Sequence, residues 1–360
     1  MRAAAPAKLR GMTQPAPRTH RPPGVAASTH RPSGDAMRGT GSAPGFGRRA
    51  AAIVAVAAML PYLTLKILWL TGSSIGVSEP GLMNDPAMVG LNAMTFGMDA
   101  VGLLLAVAFA ARWGLRLPAW LVLLPLWVGT GLLSVLIVSM PVVIATSGLG
   151  AFEGGPIQSW IYLMVYGGFM VQGIGLMAAF ALYARDRWPA AFTTATGRPF
   201  PSLTRPLQRI LAWGALPVAT LLGGVRLVWA FDGQVGAVQD ALKGVLAIAG
   251  AAALVVMVER KGRGPFWRPL VAAWLGAGSL FAWSLYALII TSVGGPLSAG
   301  AGGPEGLVEL FGVLTGLVMG LCGAFLLAER SGVGHVDAVQ EPLEGDDRER
   351  DRRTADHGHR

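Results

Sequence analysis

Five ionisable residues, Lys66, Asp99, Arg226, Lys243 and Glu309, lie inside long apolar runs of this sequence. An ionisable group in hydrocarbon is costly, so each is a candidate for binding, proton transfer or ion pairing. Depth separates them. Lys66 lies about four residues from the end of its run, and Arg226 lies at a similar depth in another. Each precedes a tryptophan, Trp69 or Trp229, by three residues, so cation and indole share a helix face. That placement predicts interfacial anchors that snorkel along their aliphatic stems. If the faces point inward instead, the two cations would flank a mouth together with Glu309. Lys243 is also near a run end and carries the same anchor expectation. Glu309 stands one turn after Glu305, where a carboxylate stabilises a helix N-terminus. Asp99 is about eleven residues from either end of its run and too short to snorkel. It must be protonated, paired or facing a cavity.

Most intramembrane catalysis needs residues that are missing from the apolar runs. His20, His30, His335, His357 and His359 all lie in the terminal segments. This argues against His-dependent proteolysis, HExxH chemistry and His-based acyl transfer. No paired aspartate motif of the Mg²⁺–diphosphate type, no P-loop and no GxSxG is present. The single Cys322 excludes an intrachain disulfide and a cysteine metal cluster. The expectation is a protein that is not an enzyme and holds no cofactor or metal.

The elements that position these residues follow from hydropathy. Of 360 residues, 53% are hydrophobic and only 14% charged, with mean hydropathy +0.52. Soluble domains carry about a quarter charged residues, so the composition is that of a polytopic membrane protein. Eight apolar runs, 50–70, 88–110, 118–140, 157–183, 208–230, 238–258, 268–291 and 306–328, are each long enough to cross about 30 Å of hydrocarbon. Pro61, Pro125 and Pro217 fall inside them. The loops at 111–117, 184–207 and 259–267 carry Lys and Arg. Those at 71–87, 141–156, 231–237 and 292–305 carry none, only acids such as Glu79, Asp85, Glu153 and Asp232. The positive-inside rule then puts both termini in the cytoplasm. It also accounts for the net charge of +9 and pI near 10.4 better than nucleic-acid binding does.

The stretch Pro118–Gly131, PAWLVLLPLWVGTG, recurs as PFWRPLVAAWLGAG at Pro265–Gly278. Trp120 and Trp127 match Trp267 and Trp274, and tryptophan is scarce enough for the match to matter. The Lys66–Trp69 and Arg226–Trp229 pairs extend the correspondence, as do the Gly-Gly-Pro triplets at 154–156 and 302–304. The expected fold class is an all-α membrane protein of eight transmembrane helices arranged as two parallel four-helix repeats. The repeats would span 50–183 and 208–328 and be joined by a cytoplasmic linker at 184–207. Residues 1–49, with nine Lys or Arg against one acid, Asp35, are expected to form a disordered basic tail. Residues 329–360 are expected to form a disordered charged one. The loop after the first helix is longer than its counterpart and carries Glu79, Asn84 and Asp85. Trp127 and Trp274 are expected to pack in the core between the repeats, or else to offer a stacking surface to a ligand.

In its Arg- and Ala-rich style, and in the K-x-x-W-x-x-G end of the first helix, the chain resembles uncharacterised multi-pass integral membrane proteins of high-GC actinobacteria. The resemblance implies a plasma-membrane location and brings no established activity. Two functional expectations follow from the residues. One is a small-solute secondary transporter or permease subunit. The other is a non-transporting assembly or sensory partner protein. The lipid bilayer is the expected partner in both, with a small solute or a membrane protein as the second, and no specific nucleic acid.

Overall fold

The computed structural model describes residues 45–199, 202–231, 236–293 and 303–357, with side chains as far as 330. The basic N-terminal tail up to 44 lies outside them. Nine helices are described: α1 (Phe46–Leu70), α2 (Pro86–Ala110), α3 (Ala119–Ser147), α4 (Ser159–Arg187), the short α5 (Pro189–Thr193), α6 (Arg205–Phe231), α7 (Ala237–Val258), α8 (Trp267–Val293) and α9 (Pro304–His357). All but α5 are long and apolar enough to cross a membrane. The all-helical, eight-span architecture agrees with the hydropathy reading, and the protein is a polytopic membrane protein.

The ends differ from expectation in instructive ways. Helix α1 begins at Phe46 rather than at 50, because Arg48 is drawn into the bundle by Asp186 of α4. Helix α3 runs through Pro141 to Ser147. Its missing amide bond is tolerated where neighbouring groups re-satisfy the carbonyl. The linker holds helical structure, since α4 continues to Arg187 and α5 follows. Helix α9 is the last element, and its apolar part runs to Arg330.

Alternate loops meet at opposite ends of the bundle. At one end, Ser78 N–H donates to Pro156 O at 2.9 Å and Gln158 N–H to Gly76 O at 2.8 Å. These bonds join the loop after α1 to the loop before α4, and we call this the acidic end. At the other, basic end, Thr196 N–H donates to Gly264 O at 2.9 Å and Phe266 N–H to Thr194 O at 3.0 Å. At the acidic end Asp85 caps α2, accepting from the amides of Ala87 and Met88, with Pro86 in the first turn.

The apolar core is two clusters. One, around Ala55, Met59, Phe109, Leu126 and Tyr183, lies among α1, α2, α3 and α4. The other, around Ala215, Ala251, Leu254, Phe266 and Met319, lies among α6, α7, α8 and α9. Between them α3 crosses α8 so closely that Cβ atoms on Gly131 or Gly278 would meet the opposing backbone. Gly250 of α7 and Gly276 of α8 are in the same relation. Without a hydrophobic driving force in lipid, such small-residue crossings supply much of the helix–helix attraction through close packing.

Candidate functional site

Along the α1–α2 contact, three polar pairs form a file that starts near the acidic end and reaches mid-helix. Lys66 Nζ donates to Asn92 Oδ1 at 2.5 Å, and both residues are buried. One turn deeper, Tyr62 lies beside Thr95. One further turn along α2, Asp99 Oδ1 accepts from Gln172 Nε2 of α4 at 2.6 Å. Asn92, Thr95 and Asp99 share one face because their spacings are three and four residues. The file from Asn92 to Asp99 covers about 10 Å at 1.5 Å per residue. Beyond Asp99, toward the basic end, the contact becomes apolar through Met59, Leu105, Ala106 and Phe109.

Lys66 therefore does not snorkel. It is 6% exposed and sits over the rings of Tyr62 and Trp69, at 4.9 and 5.1 Å from their centroids. Those faces stabilise the ammonium where water is excluded. Trp69 is itself fixed by a hydrogen bond from Nε1 to Ile75 O at 2.9 Å. The loop after α1 folds over this point. Leu82 and Met83 join Leu65, Trp69, Met88 and Ile161 in a small apolar cluster, and Met83 Sδ accepts from Asn92 Nδ2 at 3.3 Å. The extra length of that loop makes a roof over Lys66.

Arg226 is no lipid-facing anchor either; it is 3% exposed. Its Nη1 meets Asp240 Oδ1 at 3.1 Å and its Nη2 meets Glu309 Oε2 at 2.6 Å, so one guanidinium ties α6 to α7 and α9. Lys243 Nζ shares Asp240 Oδ1 at 2.7 Å and lies over the Trp283 ring at 5.4 Å. Arg226 also lies over Trp229, at 5.9 Å. Two cations and two carboxylates make a neutral, closed network. Lys243 and Glu309 are thus pairing residues rather than a headgroup anchor and a lone helix-terminus charge. Lys66 and Arg226 occupy matching places on α1 and α6, but their partners differ: an amide for one and carboxylates for the other.

Trp127 and Trp274 flank the α3–α8 crossing. Trp127 stacks on Phe281 with centroids 5.0 Å apart. Trp274 Nε1 donates to Thr130 Oγ1 at 2.9 Å, and its ring stacks on Phe180 at 5.8 Å. Both rings therefore pack against protein side chains, Trp127 buried and Trp274 partly so. Trp120 and Trp267 are the more exposed pair near the basic end, as belt residues are.

The basic end carries two further networks. Arg48 Nη1 meets Asp186 Oδ2 at 2.6 Å. Arg187 donates to the Tyr183 hydroxyl, and by Nη2 to Leu117 O at 2.6 Å. Glu329 of α9 accepts from Ser202 Oγ at 2.5 Å, Thr204 Oγ1 at 2.8 Å and Gln208 Nε2 at 3.0 Å. Sequence reasoning missed Asn92, Gln172, Asp240, Gln208 and Glu329. Uncharged amides inside apolar runs were the available signal for three of them, and the three-residue spacing of Asp240 and Lys243 was the signal for the fourth. Among the described residues no group of His, Cys, Asp or Glu could hold a metal ion.

An open apolar groove of about 970 Å³ lies along α6, lined by Trp213, Pro217, Leu221, Gly224, Val228 and Trp229 among others. Comparison with family models, with curated proteins and with solved structures finds no match for this chain.

Proposed function

We propose that the protein is a secondary transporter of a small solute, with its coupling groups in the α1–α2–α4 region. The observation that carries this reading is the polar file Lys66–Asn92, Tyr62–Thr95 and Asp99–Gln172. Structural hydrogen bonds between membrane helices do not need to be aligned, whereas a route for an ion does. The file starts beneath the loop after α1 and stops at apolar contacts near mid-helix, an arrangement suited to access from one side at a time. In this reading the membrane is the plasma membrane and both termini are cytoplasmic, which the Lys and Arg of alternate loops support, and the roofed end would face outside.

Purified protein in detergent, screened by thermal shift against amino acids, sugars and small organic ions, tests the reading. A solute that stabilises wild type but not Asp99→Asn, and that accumulates in proteoliposomes under an imposed ion gradient, supports it. No shift and no uptake across the panel would overturn it.

The α6 groove favours a second reading, a non-transporting assembly partner, because a transmembrane helix of another protein would fit between Trp213 and Trp229. Co-purification with one membrane protein, lost in Leu221→Trp and unaffected by solutes, would support this alternative.

A further inference from the structure

We propose that Asp99 and Gln172 form a proton-binding site, in which the Asp99 carboxyl takes up and releases one proton against the Gln172 carboxamide. The proposal deepens the transport reading by naming the coupled ion. Gln172 Nε2 donates to Asp99 Oδ1 at 2.6 Å, and each residue is only 5% exposed. The remaining oxygens of the pair, Asp99 Oδ2 and Gln172 Oε1, are buried and have no hydrogen-bond partner among the described residues. Buried polar atoms without partners are rare, because each loses its hydration for nothing in return.

One proton removes both vacancies. A neutral carboxyl carries one O–H donor and keeps acceptor capacity, and a carboxamide offers a carbonyl acceptor and an NH₂ donor. Edge to edge, the two groups exchange a pair of hydrogen bonds in a ring. The bond from Nε2 to Oδ1 is present. A proton on Oδ2 supplies the donor that the acceptor Oε1 lacks. Uptake forms one O–H bond on Oδ2 with a proton drawn from bulk water, and release returns it, with no redox change. A hard metal cation fits less well, since six or more oxygens are its usual demand, and the pair leaves two unengaged.

The surroundings suit reversible protonation. From α1, Lys66 and Tyr62 face Asp99. From α2 itself come Asn92 and Thr95, bonded to Lys66 and to the Leu91 carbonyl respectively. Helix α4 brings Gln172 and, nearer the acidic end, Tyr166, which with Tyr286 of α8 lies near Tyr62. Helix α3 brings Val122 and Leu126 to the apolar core below. When Asp99 loses its proton, Lys66 is the counter-charge two helical turns away, so the file goes from one positive charge to neutral.

Infrared difference spectroscopy on the full chain in nanodiscs tests the proposal, with pH as the variable and no transported solute. Wild type should show a carboxylic C=O band that changes to carboxylate on raising the pH and shifts in D₂O. The band should be absent in Asp99→Asn and moved in Gln172→Leu. Labelling aspartate with ¹³C in wild type should move the same band, which keeps the test decisive if a variant fails to fold. Wild-type and Asp99→Asn spectra that superpose at every pH would overturn the proposal. So would a response to Na⁺ at fixed pH with none to pH. A normal band without uptake of any solute removes the transport reading and leaves the proton site standing. Gradient-driven uptake without the band does the reverse.

Discussion

Removing Arg226 should expose how strongly the second four helices depend on one guanidinium. In Arg226→Met, Asp240 and Glu309 remain with Lys243 alone, and the network moves from neutral to a net negative charge. Breaking a buried pair by deleting one partner costs about 3–5 kcal/mol, mostly from the charge left uncompensated. The lower figure, about 3 kcal/mol, applies here, because Glu309 keeps 14% and Asp240 23% side-chain exposure and both can recruit water. Arg226→Met with Glu309→Met leaves the Asp240–Lys243 pair at 2.7 Å intact and neutral. The double variant should lose about 1 kcal/mol or less, about 2 kcal/mol less than Arg226→Met alone, and the coupling exceeds that difference by whatever Glu309→Met costs by itself. Reversible unfolding in mixed micelles of dodecyl maltoside and dodecyl sulfate, applied to wild type and the variants, measures the cycle. A single-variant cost below about 1 kcal/mol, or a double cost equal to the sum of the singles, would refute the reasoning.

Arg226→Lys should not be silent, since a single ammonium cannot reproduce a planar fork spanning two carboxylates on different helices; the same unfolding assay should show a loss of about 1–2 kcal/mol, between the deletion and wild type. Gly278→Leu should prevent the α3–α8 crossing, because its side chain would enter the Trp127 carbonyl and ring; the readout is loss of the monodisperse peak in size-exclusion chromatography, with Gly264→Leu, in open space, as the tolerant control. Asp99→Asn retains an acceptor for Gln172 Nε2 and adds a donor for Gln172 Oε1, so it should unfold like wild type, whereas Asp99→Leu should lose about 1 kcal/mol in the same assay. Single cysteines at the exposed Ser78 or Gly150, with Cys322 replaced, should label with an impermeant thiol reagent in intact cells, and one at Gly264 should not.

Hydropathy and charge made the spans legible because both act residue by residue. Eighteen or more apolar residues require a crossing wherever their neighbours lie. The depth of Asp99 was equally local, and it marked a residue that the bundle does bury beside a polar partner. What depth cannot tell is which way a side chain faces around the helix axis. Lys66 and Arg226, read as headgroup anchors, turn inward because α1 packs on α2 and α6 packs on α7. That rotation is decided by where Gly and Ala permit close approach between helices. Gln172 lies 73 positions from Asp99, and Glu309 lies 83 from Arg226. No periodicity within one helix encodes such a pairing. The recurring tryptophan stretch identified the segments that meet at the Gly131–Gly278 crossing, yet the partners of those tryptophans, Phe281 and Thr130, became definite only once α3 and α8 were set against each other. The sequence by itself determined which segments enter the membrane and which polar groups go in with them. The tertiary structure decided which of those groups meet, because a buried polar atom must take its partner from whichever helix packing brings within reach.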